Sequence, residues 1–146
     1  MIANERQYRI TRNRARSFAR AIDDFDNTKN ERANVHPSLV RAEREAMESQ
    51  LKDLREELEE YENLKSAEVQ VISVATFEGI ADGLIKARIA RGLSQRALAE
   101  RLGIQEQQVQ RYEAQRYASA SYFRLCEVAG ALDIRFENEI LLCLVP

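Results

Sequence analysis

Two short apolar patterns meet at a single glycine in residues 85 to 116, IKARIARGLSQRALAERLGIQEQQVQRYEAQR, and they constrain the chain more than any other feature. Ser94 is placed to cap a helix, because its hydroxyl can accept a free N–H of the first turn. Leu98, Ala99 and Leu102 then recur at helical spacing. Ala99 is small, which lets a second helix cross close to its backbone. Gly103 stands where the chain must leave the first helix, and glycine takes a left-handed conformation without a Cβ penalty. Ile104 is expected to point back into the core. A second short helix is expected from about Gln105 to Ala114. Val109 and Tyr112 stand three apart and share its inner face. Glu106, Gln107, Gln110 and Arg111 are left outward. The spacing predicts a helix, a tight turn and a crossing helix.

The outward face carries groups that can read base edges. Glutamine donates to and accepts from an adenine edge at once, arginine pairs bidentately with guanine, and glutamate accepts from the amino group of cytosine. Gln107, Gln108 and Gln110 with Arg111 would suit a recognition helix lying in a major groove. The plainer alternative is a solvated polar face on an ordinary helix hairpin. The ordered set Ser94-Gln95, Ala99, Gly103, Val109 and Glu113 favours the DNA reading.

That set resembles the Xre/Cro, lambda-repressor-like helix-turn-helix family. The residues that carry the resemblance are Arg88, Gly92, Leu93, Ser94, Gln95, Leu98, Ala99, Gly103, Ile104, Val109 and Glu113, and it extends over about residues 78 to 135. By position, the resemblance implies that Gln95, with Arg96 beside it, touches phosphate at the start of the second helix of the module. It implies that Glu106, Gln107 and Arg111 face bases and that Arg116 reaches the DNA backbone. Arg88 and Glu113 would form a structural ion pair between the first helix of the module and the end of the recognition helix. Three positions depart from the family pattern. Gln105 replaces the usual Ser/Thr cap, Ala114-Gln115 replace Asn-Gly, and Gln108 is bulkier than the small residue often found there. The turn after Glu113 is therefore expected to differ.

Charge is unevenly placed. The whole chain carries a net −2, which by itself argues against a DNA binder. Residues 79 to 131, however, hold eight basic and five acidic side chains, a net +3, whereas residues 31 to 68 hold six basic and eleven acidic ones, a net −5. Affinity for DNA follows the local basic face, and a face this modest predicts binding as a dimer. No run approaches the ~20 apolar residues of a membrane span, and the start lacks the apolar segment of a signal peptide. A cytoplasmic protein is expected, with Cys126 and Cys143 as interior free thiols. The chain has one histidine, His36. No Cys/His cluster suggests a metal site, and no cofactor motif is recognisable.

Scarce glycine and proline (5 and 2 of 146 residues) predict a mainly α fold. Residues 11 to 26 carry Ala15, Phe18, Ile22 and Phe25 on one seam, with a basic run (Arg6, Arg9, Arg12, Arg14, Arg16, Arg20) before and along it. That run reads either as an arm that touches DNA phosphate or an acidic partner, or as a solvated helix face. Residues 27 to 37 read as a loop, and Pro37 opens the next helix. Residues 38 to 65 repeat Met47, Leu51, Leu54, Leu58 and Tyr61 by fours and threes. The two helices are expected to form a hairpin that also helps dimerisation. Residues 69–74 are β-prone, as are residues 140–145, so a short strand pairing is expected. Ser119 or Ser121 should open a last helix with Tyr122, Leu125, Val128, Ala129 and Leu132 inward. The expected domains are a helical hairpin for dimerisation or partner binding (1–66), a connecting strand or linker (67–77), the lambda-repressor-like helix-turn-helix bundle (78–135) and a tail (136–146).

No catalytic constellation appears: there is no glycine-rich phosphate loop, no G-x-S-x-G and no cysteine with a partner histidine. The leading expectation is a sequence-specific, double-stranded-DNA-binding repressor that acts as a homodimer on its operator. The resemblance extends to HigA-like and other Xre-type antitoxins, which implies an autorepressor with a toxin as second partner. The alternative is a protein-interaction adaptor whose helix-turn-helix is structural.

Overall fold

The structure is a computed structural model that describes residues 1–27, 35–66, 69 and 71–137. Among these residues the architecture is all α, with six helices: α1 (Glu5–Asn27), α2 (Pro37–Lys65), α3 (Gly79–Ala90), α4 (Gln95–Leu102), α5 (Glu106–Ala114) and α6 (Tyr122–Ala131). They fall into two compact units. The first takes the described residues of 1–72 together with 89–92, and the second takes 73–88 and the described residues from 93 onward. Among the described residues no helix is long and apolar enough to cross a membrane.

In the first unit α1 and α2 pack as an antiparallel hairpin. Ala15, Ile22 and Leu51 are its buried centre, flanked by Phe18, Ala19, Met47, Leu54 and Leu58. The direction is set at both ends. Glu5 meets Lys65 and the Tyr8 hydroxyl donates to Glu62 at one end, while Arg44 forks onto Asp26 at 2.9 and 3.1 Å at the other. α1 begins at Glu5, earlier than the expected Thr11. The cause is a cap. The Asn4 side chain accepts from the Gln7 N–H at 3.0 Å, and the Gln7 side chain accepts from the Ala3 N–H at 2.7 Å, close to a reciprocal capping box. α2 starts at Pro37, with the His36 ring accepting from the Ser38 N–H at 3.3 Å.

The second unit is built on Leu84, Ile85, Leu98, Ala99, Val109, Tyr117, Val128 and Leu132, all buried. α4 packs on both α5 and α6. The Arg101 guanidinium reaches from α4 to the Ala131 carbonyl at 2.8 Å, satisfying an acceptor at the end of α6. Ser121 caps α6 through the Arg124 N–H at 3.2 Å.

Three expectations are corrected here. Residues 71–75 form no strand. β-branched side chains favour a strand only where a neighbouring strand completes the ladder, and none does so among the described residues; the expected partner, 140–145, lies outside them. Val74 packs on α3 instead. A Cβ on Gly83 would come within 2.9 Å of Val74 Cγ2, and one on Gly79 within 3.2 Å of Val74 Cγ1. The two glycines that weaken the start of α3 therefore let the incoming chain lie close against it. Tyr122, expected inward, is 74% exposed, because the stripe that α6 buries runs through Val128, Ala129 and Leu132, is only half covered at Leu125, and does not reach the first turn of the helix. Cys126 is exposed rather than interior. Cys143 lies outside the described residues.

Candidate nucleic-acid interface

The site is built by the turn between α4 and α5. Ser94 caps α4, its hydroxyl accepting from the Ala97 N–H at 3.0 Å. Gly103 ends α4 at φ +64°, in the left-handed region that glycine enters at no steric cost. The Ile104 N–H then donates to the Ala99 carbonyl at 3.0 Å, which closes the helix end. Gln105 precedes α5 in an extended conformation and makes no side-chain cap bond, in line with the departure noted at that position.

α5 buries Val109 and Glu113, half-buries Tyr112, and exposes Glu106, Gln107, Gln108, Gln110 and Arg111. At 3.6 residues per turn, Glu106, Gln107, Gln110 and Arg111 share one outer face. Gln108 is exposed on the flank of the helix, next to Arg111. Gln110 donates to Glu106 at 3.0 Å, so these two side chains form one polar surface with both a donor and acceptors.

Beneath this face lies a buried ionic cluster. Arg88 of α3 forks onto Glu113 of α5, Nε to Oε1 at 2.5 Å and Nη2 to Oε2 at 2.7 Å. Both side chains are almost fully buried. Arg88 Nη1 also donates to the Leu93 carbonyl at 2.8 Å, and Gln95 Nε2 donates to Glu113 Oε2 at 2.7 Å. One carboxylate thus ties together α3, the following turn, the start of α4 and the end of α5. Charges removed from water in this way are worth little net stability, but a broken pair is costly. The cluster holds the phase of α5 about its own axis.

The three residues assigned to phosphate take different situations. The Gln95 side chain is buried and its amide is committed to Glu113, so it is turned away from the surface. Arg96 is exposed and pairs with Glu100 at 3.0 Å within α4. Arg116 is exposed just beyond α5, its Nη1 3.4 Å from Asp82 Oδ2. The other carboxylate oxygen of Asp82 is buried without a hydrogen bond among the described residues.

The turn after Glu113 does differ from an Asn-Gly turn. Arg116 and Tyr117 both adopt positive φ, 47° and 56°, a conformation that costs residues with a Cβ about 1–2 kcal/mol each. Burial holds the turn. The Tyr117 ring stacks on Tyr112 with centroids 5.9 Å apart, and its N–H donates to the Tyr112 carbonyl at 2.6 Å. Burial, with Glu113 nearby, pushes the Tyr117 phenol well above the usual tyrosine range. Neither Tyr117 nor Asp82 was singled out from the sequence. An aromatic pair five apart across a helix end was the available signal for Tyr117; Asp82 carried none.

Residues 84–137 match the helix-turn-helix family HTH_3. Comparison with curated proteins and with solved structures found no match. The left-handed Gly103 turn, the crossing of α4 and α5 and this match together identify residues 84–137 as a helix-turn-helix domain of the Xre/lambda-repressor-like kind.

Proposed function

We propose that the chain is a sequence-specific transcriptional repressor that binds double-stranded operator DNA as a homodimer, and that it is the autorepressing antitoxin of a toxin–antitoxin operon. The general part, a DNA-binding regulator, follows from the helix-turn-helix domain. The observation that carries the narrower reading is the outer face of α5. Glu106, Gln107, Gln110 and Arg111 are all exposed on a helix whose phase is held by a buried ion pair. Adenine, guanine and cytosine edges are each matched by a group on that face. Two such helices in a dimer would read half-sites about one helical turn, ~34 Å, apart. Arg96 and Arg116 supply charge for phosphate on either side of α5, and the backbone at the start of α4 lies where Gln95 was expected to act. The antitoxin role is supported by the first unit of the chain, whose helical hairpin lies outside the helix-turn-helix domain and offers a surface for a protein partner.

The test is binding to the promoter of its own gene, wild type beside Gln107→Ala/Arg111→Ala, at two salt concentrations. The double variant should bind at least tenfold more weakly to the promoter, and Arg111→Ala alone should cost about 1–3 kcal/mol and relax one base position. Equal promoter binding by both proteins would leave the helix-turn-helix a structural element. The antitoxin role requires that the product of the adjacent gene bind this chain; no complex between the two purified proteins would remove it.

A further inference from the structure

We propose that the outer face of α1 is a second nucleic-acid surface, one that binds the phosphate backbone of duplex DNA without reading sequence. Arg6, Arg9, Arg12, Arg16 and Arg20 follow one another at spacings of three, three, four and four along this helix, and each is exposed. Residues 6–22 contain six arginines and no acidic residue, in a chain whose net charge is −2. The opposite face of α1 is the hairpin seam, with Ala15 and Ile22 buried against Leu51, so the arginine row points away from the core.

Folding does not account for this row. Like charges three and four apart on a helix repel, and they destabilise the helix that carries them. Carboxylates stand at the two ends of the row and not within it: Glu5 pairs with Lys65 and lies near Arg9, and Asp26 pairs with Arg44, while residues 6–22 hold no acidic side chain of their own. Within the row, the Arg12 guanidinium lies 5.5 Å from the Tyr8 ring centroid, a contact that leaves its charge available to an anion. A bound polyanion would turn the repulsion into attraction.

Duplex DNA fits the row better than an acidic protein does. Arg6 to Arg20 spans about 21 Å of helix, and the phosphates of one DNA strand advance only ~3.4 Å each along the axis. A protein interface needs an apolar centre with a polar rim, and on this side of α1 only Ile10 is an exposed large apolar side chain. A second copy of the hairpin offers a weaker match. Several carboxylates of α2 are already engaged: Glu48 and Glu56 pair with Arg44 and Lys52, Glu57 with the N-terminal ammonium, and Glu62 accepts from the Tyr8 hydroxyl. Such a surface would add sequence-independent affinity to the reading by α5, and it does not depend on that reading.

The experiment is anisotropy titration of the full chain with a 30-bp duplex of arbitrary sequence, its promoter duplex and a poly-glutamate peptide, across a salt series. The proteins are wild type, Arg6→Gln/Arg9→Gln/Arg16→Gln/Arg20→Gln, the same four positions changed to Lys, and Gln107→Ala/Arg111→Ala. Removing like charges relieves α1, so the Gln variant should keep its helical circular dichroism. It should bind both duplexes at least tenfold more weakly at about 100 mM salt, with a log K against log salt slope less steep by up to ~3.6, from ~0.9 for each of the four phosphate contacts. The Lys variant should bind nearly as wild type does. An unchanged slope and affinity in the Gln variant would overturn the proposal, as would the absence of any duplex binding by wild type. Tighter binding of poly-glutamate than of duplex would overturn it in favour of an acidic protein. Salt-sensitive self-association lost in the Gln variant, with DNA affinity intact, would overturn it in favour of a second copy. The Gln107→Ala/Arg111→Ala variant should lose promoter preference alone. If wild type shows no promoter preference but loses duplex binding on α1 neutralisation, the α1 surface stands and the sequence-specific reading falls.

Discussion

Glu113 ties three segments of the second unit together, since its two oxygens accept from Arg88 twice and from Gln95 once. Glu113→Ala leaves the Arg88 charge buried without its carboxylate. Such a loss typically costs about 3–5 kcal/mol, so urea unfolding should show a drop of that order or no folded second unit. Arg88→Met/Glu113→Leu removes both charges and should recover much of the loss, since well-packed apolar pairs replace buried ion pairs at little cost. If the double variant is no more stable than Glu113→Ala, the cluster acts by something other than charge burial. Arg116 poses the opposite problem. It is exposed and left-handed, so Arg116→Gly should relieve backbone strain and raise stability by up to ~1 kcal/mol. The same change removes a cation from the edge of α5 and should weaken DNA binding severalfold. A variant that gains stability and keeps full affinity would show that Arg116 does not touch the DNA backbone.

At the scale of elements, the hairpin rests on a buried stripe along each helix: Ala15, Ile22 and Phe25 on α1, and Leu51, Tyr61 and Leu64 on α2. Leu51 sits at the centre of the cluster with Ala15 and Ile22, so Leu51→Ala should cost about 2–5 kcal/mol, and thermal melts by circular dichroism should register a lower transition. An unchanged melt would mean that Met47, Leu54 and Leu58 close over the cavity. Element ends were only partly legible. The caps Ser94, Gly103 and Ser121 use groups whose role follows from their own chemistry. The early start of α1 rests on Asn4 and Gln7, a pair with the spacing of a capping box but without an apolar run after it to draw attention. Tyr122 was misplaced because a stripe at helical spacing says which residues share a face, not how far along the helix that face remains covered.

For the whole molecule, the sequence by itself determined the class of the fold, the two helical segments of the hairpin, and the turn and crossing of α4 and α5. These follow from local causes: apolar period, caps, and one glycine at a position that needs positive φ. The pairing of Arg88 with Glu113 came from position within a family pattern and is present in the structure as a buried fork. The tertiary structure decided the rest. It turned Gln95 inward, because a buried carboxylate with a third lone pair to satisfy lies within reach of its amide. It laid Val74 on two glycines rather than in a strand, since β-branched residues without a partner edge take whatever apolar surface is nearest. It held Arg116 and Tyr117 left-handed, because burial of one aromatic ring outweighs the strain of the turn. Each of these depends on which groups distant in the chain compete for the same buried space. No local pattern encodes that competition.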